Sequence, residues 1–156
     1  MNKKNLIIFV ILVFSLIAGA GFLFYKNNSQ KFFGPHLVIS PREYDFGKIL
    51  QSQPIVLAYF DVLNNGSQDA VISGMPTSCS CTSAEISQKE IKPGETAKLK
   101  VSFDSNFHEE PEGKFFRSVS VKYNSSEGVE TPEIKVWMEI FYDLGKDKLK
   151  FGKDLD

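Results

Sequence analysis

Both cysteines of the chain stand in Pro76-Thr77-Ser78-Cys79-Ser80-Cys81-Thr82, at positions i and i+2. In an extended segment this spacing puts the two side chains on one face, with Cα atoms about 6.6 Å apart, the outer limit for a disulfide. A tightened turn at Ser80 could close the bond. The pair admits a structural role at a strand end, as a disulfide or as partly buried thiols, and this is the expected reading. The alternatives are thiol-redox exchange and capture of a soft metal such as Cu(I) by two thiolates. Zinc is poorly supported. A structural zinc site takes four ligands, and the other soft candidates, His36 and His108, are remote in sequence and have no ligand spacing. No cofactor or metal is therefore expected.

The other polar groups give less. His36 and His108 read as solvated loop histidines. The run His108-Glu109-Glu110-Pro111-Glu112 reads as a charged surface loop rather than a calcium site. No serine has a base partner in a recognisable arrangement, so a hydrolase triad is not supported and no enzymatic activity is expected. Trp137 falls on a polar register between Lys135 and Glu139, where it is either covered by an edge loop or exposed as a contact anchor.

The elements that must position the cysteines are strands. Leu37-Val38-Ile39 is a short strand stopped by Pro41, and Tyr44 to Ile49 is a second with a bend at Gly47. Ile55 to Asn64 is apolar on both faces, as in a central strand. Asn64-Asn65-Gly66-Ser67 is a turn signal, read as a hairpin into Ala70-Val71-Ile72. Thr82 to Ile86 follows the cysteines, and Ile91-Lys92-Pro93-Gly94-Glu95 makes the next turn. The cleanest alternation puts Ala97, Leu99, Val101 and Phe103 inward and Thr96, Lys98, Lys100 and Ser102 in water. Phe115, Val119, Val121 and Tyr123 form a further inward set that Arg117 interrupts, its head expected to reach solvent. Ile134, Val136, Met138 and Ile140 give the last strand. Seven or eight short strands without an amphipathic helix predict an all-β fold, an antiparallel β-sandwich over residues 36–143.

Before this domain, Leu6 to Tyr25 is an uncharged apolar run, long enough at about 1.5 Å per residue to cross a hydrocarbon layer of roughly 30 Å. Tyr25 and Lys26 suit its edge. Ala18-Gly19-Ala20 offers the rival reading of a cleaved signal peptide, but the apolar run continues past it. Residues 1–30 are thus expected to be a single transmembrane helix, residues 31–35 a linker, and residues 144–156 a polar tail. The domain is placed outside the cytoplasm, with the membrane and another envelope protein as partners. Four of the 18 basic residues precede Phe32, so from there on 19 acids face 14 bases. This balance leaves no electrostatic footprint for nucleic acid.

In order along the chain, Asp45-Phe46-Gly47-Lys48-Ile49, Phe60-Asp61-Val62-Leu63-Asn64-Asn65-Gly66, Ser78-Cys79-Ser80-Cys81-Thr82, Ile91-Lys92-Pro93-Gly94-Glu95, Val101-Ser102-Phe103-Asp104 and Gly113-Lys114-Phe115 resemble the bacterial domain of unknown function 1573 family. The resemblance runs over about residues 40 to 142. It implies an immunoglobulin-like sandwich in exported or membrane-anchored proteins of no established activity. The family usually has Gly between its cysteines where this chain has Ser80, which would be strained if the loop needed a positive φ. The reading that follows is a membrane-anchored extracytoplasmic module acting as a non-enzymatic scaffold, adhesion or assembly domain. The alternative is a thiol-redox or copper-handling protein using Cys79 and Cys81.

Overall fold

The computed structural model describes residues 33–125 and 131–149. The segment expected to span the membrane and the last residues of the tail lie outside these. Among the described residues no helix is long and apolar enough to cross a membrane.

The described chain is all-β. Its strands are β1 (Leu37–Ser40), β2 (Glu43–Leu50), β3 (Ile55–Asn64), β4 (Ala70–Gly74), β5 (Thr82–Ile86), β6 (Glu90–Ile91), β7 (Thr96–Asp104), β8 (Lys114–Ser120), β9 (Lys122–Tyr123) and β10 (Glu133–Phe141), followed by a 3₁₀ turn, Lys146–Lys148. One sheet has the order β1-β3-β7-β5 and is antiparallel throughout. The others run β2-β10-β8 and β6-β4-β9. Only Val121 separates β8 from β9, and Thr77 bridges to Val119 while the Ser78 and Ser120 amides donate to Ser118 and Pro76. The two smaller sheets thereby join along one line.

Alternation along each strand supplies the core. Ala58, Phe60 and Val62 of β3 and Ala97, Leu99, Val101 and Phe103 of β7 share one cluster with Val119, Ile134, Val136 and Met138 of the sheet β2-β10-β8 and with Val121 between β8 and β9. The Phe103 and Phe115 rings meet edge to face at 6.3 Å. The expected inward set of Thr96–Asp104 is therefore the observed one.

Several expectations are corrected. β2 pairs with β10 in parallel, so the domain is not purely antiparallel. A parallel pair needs a long crossover between its partners, and the whole intervening chain supplies it. The chain leaves β1 for the other sheet at Ser40-Pro41, a cis peptide bond. The Asn64–Ser67 turn is not a hairpin, because β4 pairs with β6 and β9 rather than with β3. Asn64 explains the change of sheet. It is fully buried, donates through Nδ2 to Gln68 O and Ile91 O at 2.8 Å, and accepts through Oδ1 from Gly66 N at 2.9 Å and His36 N at 3.3 Å. Its amide is thus used to fasten loops together rather than to close a two-strand turn. Leu149 is buried, so the tail is not wholly solvent-facing.

At Gly66 the main chain of Gly34 to His36 approaches closely enough that a Cβ would stand 2.5 Å from His36 N and inside contact distance of Gly34 O. Backbone cannot swing aside as a side chain would. Gly66→Ala is expected to destabilise the domain by about 1–3 kcal/mol or more, measured as a fall in the urea midpoint at unchanged slope.

Candidate functional site

The strand β4 runs on through Met75–Thr77 along the edge of β8 and then turns at Ser78–Cys81 into β5. Two bonds tighten this turn: Thr82 N donates to Cys79 O at 3.1 Å and Thr77 Oγ1 to the same oxygen at 2.9 Å. The Cα atoms of Cys79 and Cys81 come to 5.2 Å, and the two sulfurs are joined as a disulfide. No non-glycine residue among those described has a positive φ, so Ser80 fits in place of the family's glycine without backbone strain. Cys81 is 3% exposed and belongs to the core, whereas Cys79 is only partly buried at its margin.

His108 joins this pair, contrary to the reading of it as a solvated loop residue. Its Nε2 lies 3.1 Å from Cys79 Sγ. Its Nδ1 is 3.0 Å from Glu109 O, and a carbonyl can only accept, so in the neutral ring the proton sits on Nδ1 and the Nε2 lone pair faces the sulfur. Glu110 lies beside both groups, with Oε1 3.6 Å from His108 Nδ1 and 3.9 Å from Cys79 Sγ. The Cys81 amide also donates to Cys79 Sγ, at 3.0 Å. His36 stands at the start of β1 and is not part of the group.

The charged run 108–112 is not merely a surface loop either. The Glu110 side chain is fully buried and pairs with Arg117 of β8. Arg117, expected to lift its head into solvent, instead turns to Glu110 and lies over the Phe115 ring at 5.0 Å from the centroid. Burial lowers the pKa of its guanidinium. The Glu110 amide donates to the Tyr142 hydroxyl at 2.9 Å, and burial raises the pKa of that phenol. Lys146 holds Glu109 from outside at 2.6 Å. Loop 105–113 is therefore pinned by β8 and by the segment after β10, which is what delivers His108 to the cysteines.

One potential ligand atom from each of Cys79, Cys81, His108 and Glu110 lies within 4.8 Å of the others. In the disulfide form the sulfurs are not thiolates, and Glu110 pairs with Arg117. Trp137 is half-buried on β10. Its Nε1 donates to Glu43 at 2.9 Å and its ring leans on Phe116 at 4.9 Å, beside a pocket of about 420 Å³.

A second feature lies on the outer face of the four-stranded sheet. Ile55, Leu57 and Tyr59 are 62%, 48% and 59% exposed. The strand β1 pairs only with Asp61–Asn64, so among the described residues no strand covers the other half of β3 on the side away from β7.

No curated protein matches the chain. Among solved structures it is similar to a protein of unknown function from Porphyromonas gingivalis W83, at 18% identity over 69% of this chain and 47% of that one, with a TM-score of 0.55. It is also similar to the E. coli chaperone DraB, at 9% identity over 71% and 58% of the two chains and a TM-score of 0.50. A third likeness is to a family 123 glycoside hydrolase from Clostridium perfringens, at 7% identity over 70% and 28% and a TM-score of 0.52. This chain spans less than two thirds of each, and at these identities the likeness is one of fold alone. The sequence itself is more specific. Residues 37–138 match the family described as protein of unknown function (DUF1573), so the chain belongs to the domain of unknown function 1573 family.

Proposed function

We propose that the domain is an immunoglobulin-like sandwich, held outside the cytoplasm by the apolar N-terminal segment, that works by binding another envelope protein rather than by substrate turnover. The observation that carries this reading is the uncovered half of β3. Ile55-Val56-Leu57-Ala58-Tyr59-Phe60 is uncharged, alternates exposed apolar with core positions, and has no strand along its outer edge among the described residues. Exposed edges are usually blunted by charge, proline or a bulge, because open backbone donors and acceptors recruit another strand. The occupant that fits is an extended segment of a partner whose side chains alternate apolar and polar. Its backbone would complete the ladder and its apolar set would cover Leu57 and Tyr59.

The test uses the full chain in its own envelope, crosslinked and purified, beside a Leu57→Lys/Tyr59→Lys variant. Wild type is expected to stay with membranes after a high-salt wash and to crosslink to one envelope protein. The variant should keep its melting temperature within a few degrees and lose that crosslink. An undiminished crosslink in a folded variant removes β3 as the contact, and a soluble mature form beginning at Gly21 removes the anchor.

A further inference from the structure

We infer that Cys79–Cys81 is an exchangeable disulfide that oxidises a dithiol in another protein, with Cys79 the sulfur attacked and His108 the group that handles its proton. This goes beyond the binding surface on β3 and rests on none of the same residues. Access decides which sulfur reacts. Cys81 is buried in the core at 3% exposure and Cys79 lies at its margin, so an incoming thiolate meets Cys79. The surroundings of Cys79 Sγ then favour the reduced form. The Cys81 amide at 3.0 Å points a proton at it, and His108 Nε2 at 3.1 Å delivers a second once the ring is protonated. The Glu110 carboxylate lies 3.6 Å from Nδ1 of the same ring. A thiolate held by donors and a neighbouring cation is a stabilised thiolate, and a stabilised dithiol form makes a pair more oxidising.

A disulfide that served only to staple would need none of these groups. With a sequence separation of 2, its ring constrains almost nothing in the unfolded chain. The sulfur, the imidazole beside it and the Glu109 carbonyl that orients the ring instead stand in the sequence of contacts expected of an activated thiol.

The exchange balances as follows. A thiolate of the partner attacks Cys79 Sγ, forming a mixed disulfide, and the Cys79–Cys81 bond breaks with its electron pair leaving on Cys81, which takes up a proton from water. The partner's second thiolate attacks its own sulfur in the mixed disulfide, closing the partner's disulfide and expelling Cys79 as a thiolate beside His108. Two electrons pass from the partner's dithiol to the cysteine pair. A second disulfide-bearing protein of higher potential restores the observed form by the same steps in reverse.

The test takes the full chain in detergent and a reduced peptide carrying Cys-x-x-Cys, with thiols on both counted after acid quenching. Wild type is expected to transfer one disulfide per chain. Presented with the oxidised peptide, Cys81→Ser should accumulate a mixed disulfide through Cys79, and Cys79→Ser should accumulate little. His108→Ala should slow exchange at neutral pH by at least about tenfold, with the gap closing as alkaline pH ionises the thiols unaided. Among the described residues the titratable groups beside Cys79 are His108 and Glu110 of the loop, with Arg117 of β8 paired to Glu110, and only the first is removed. A matching circular dichroism melt confirms that the His108 variant is folded. The inference is overturned if the folded wild type does not react with the peptide, if the two serine variants trap equally, or if the His108 variant has the wild-type rate at every pH. It is likewise overturned if the reduced chain retains one zinc or copper ion against a chelator and does not exchange, which would make the group a metal site.

Discussion

Phe103→Ala is expected to cost about 3–5 kcal/mol, the range for a large side chain removed from a close-packed interior. Phe103 is fully buried on β7, its ring meets Phe115 across the sandwich, and its strand pairs on both sides, with β3 and with β5. Neighbours fixed in two ladders cannot collapse into the space, so the cost should fall toward the upper end. Lys98 provides the control. It lies on the opposite face of the same strand, 65% exposed, and pairs with Asp61 at 2.5 Å. Exposed pairs of this kind contribute little, so Lys98→Ala should stay within about 0.5 kcal/mol of wild type. Equilibrium urea denaturation reads both. Equal losses would mean that the strand register is displaced by one residue.

Arg117→Met should be as damaging, for a different reason. The side chain keeps its volume against Phe115, but the fully buried Glu110 loses the guanidinium that pairs with it. Breaking a buried pair from one side typically costs about 3–5 kcal/mol, because the remaining charge is stranded without water. Adding Glu110→Gln should recover much of that loss, since a neutral amide is cheaper to bury than an unpaired carboxylate. A double-mutant cycle by urea denaturation measures the coupling. A single-variant loss below about 1 kcal/mol would place the pair in the class of screened surface bridges.

Arg117 also shows how far the sequence could lead. The inward faces of β7, β8 and β10 were legible because one face is buried and the side chains alternate with a period of two. The uncharged run in β3 suggested burial on both faces, but Ile55, Leu57 and Tyr59 are exposed. Composition alone does not tell a central strand from one whose neighbour stops halfway. The turn at Asn64 was visible, but its destination was not, because the buried Asn64 amide bonds to Ile91, which is 27 residues away. The proximity of His108 to Cys79, 29 residues apart, has no local signature at all. A signal did exist one step removed. An arginine on an otherwise apolar inward face requires a carboxylate partner, and the acidic run just before β8 is the nearest supply. Following that demand would have drawn the loop, and His108 with it, over the cysteines.

The pairing of Glu43 with Lys135 sets the order in which the domain can be assembled. All four strands of the sheet β1-β3-β7-β5 are present once Asp104 has been delivered, whereas the opposing layer needs β8 and β10, which end at Phe141. A chain synthesised from its N-terminal end therefore presents one finished layer before the other exists. For that interval Phe60, Leu99 and Phe103 have nothing to pack on, and β2 has no ladder to join. Such sequence-distant pairing slows folding and leaves sticky surface exposed meanwhile. The speed with which residues 105–141 follow their predecessors thus governs how much of the protein is lost to self-association, independently of how stable the finished domain is.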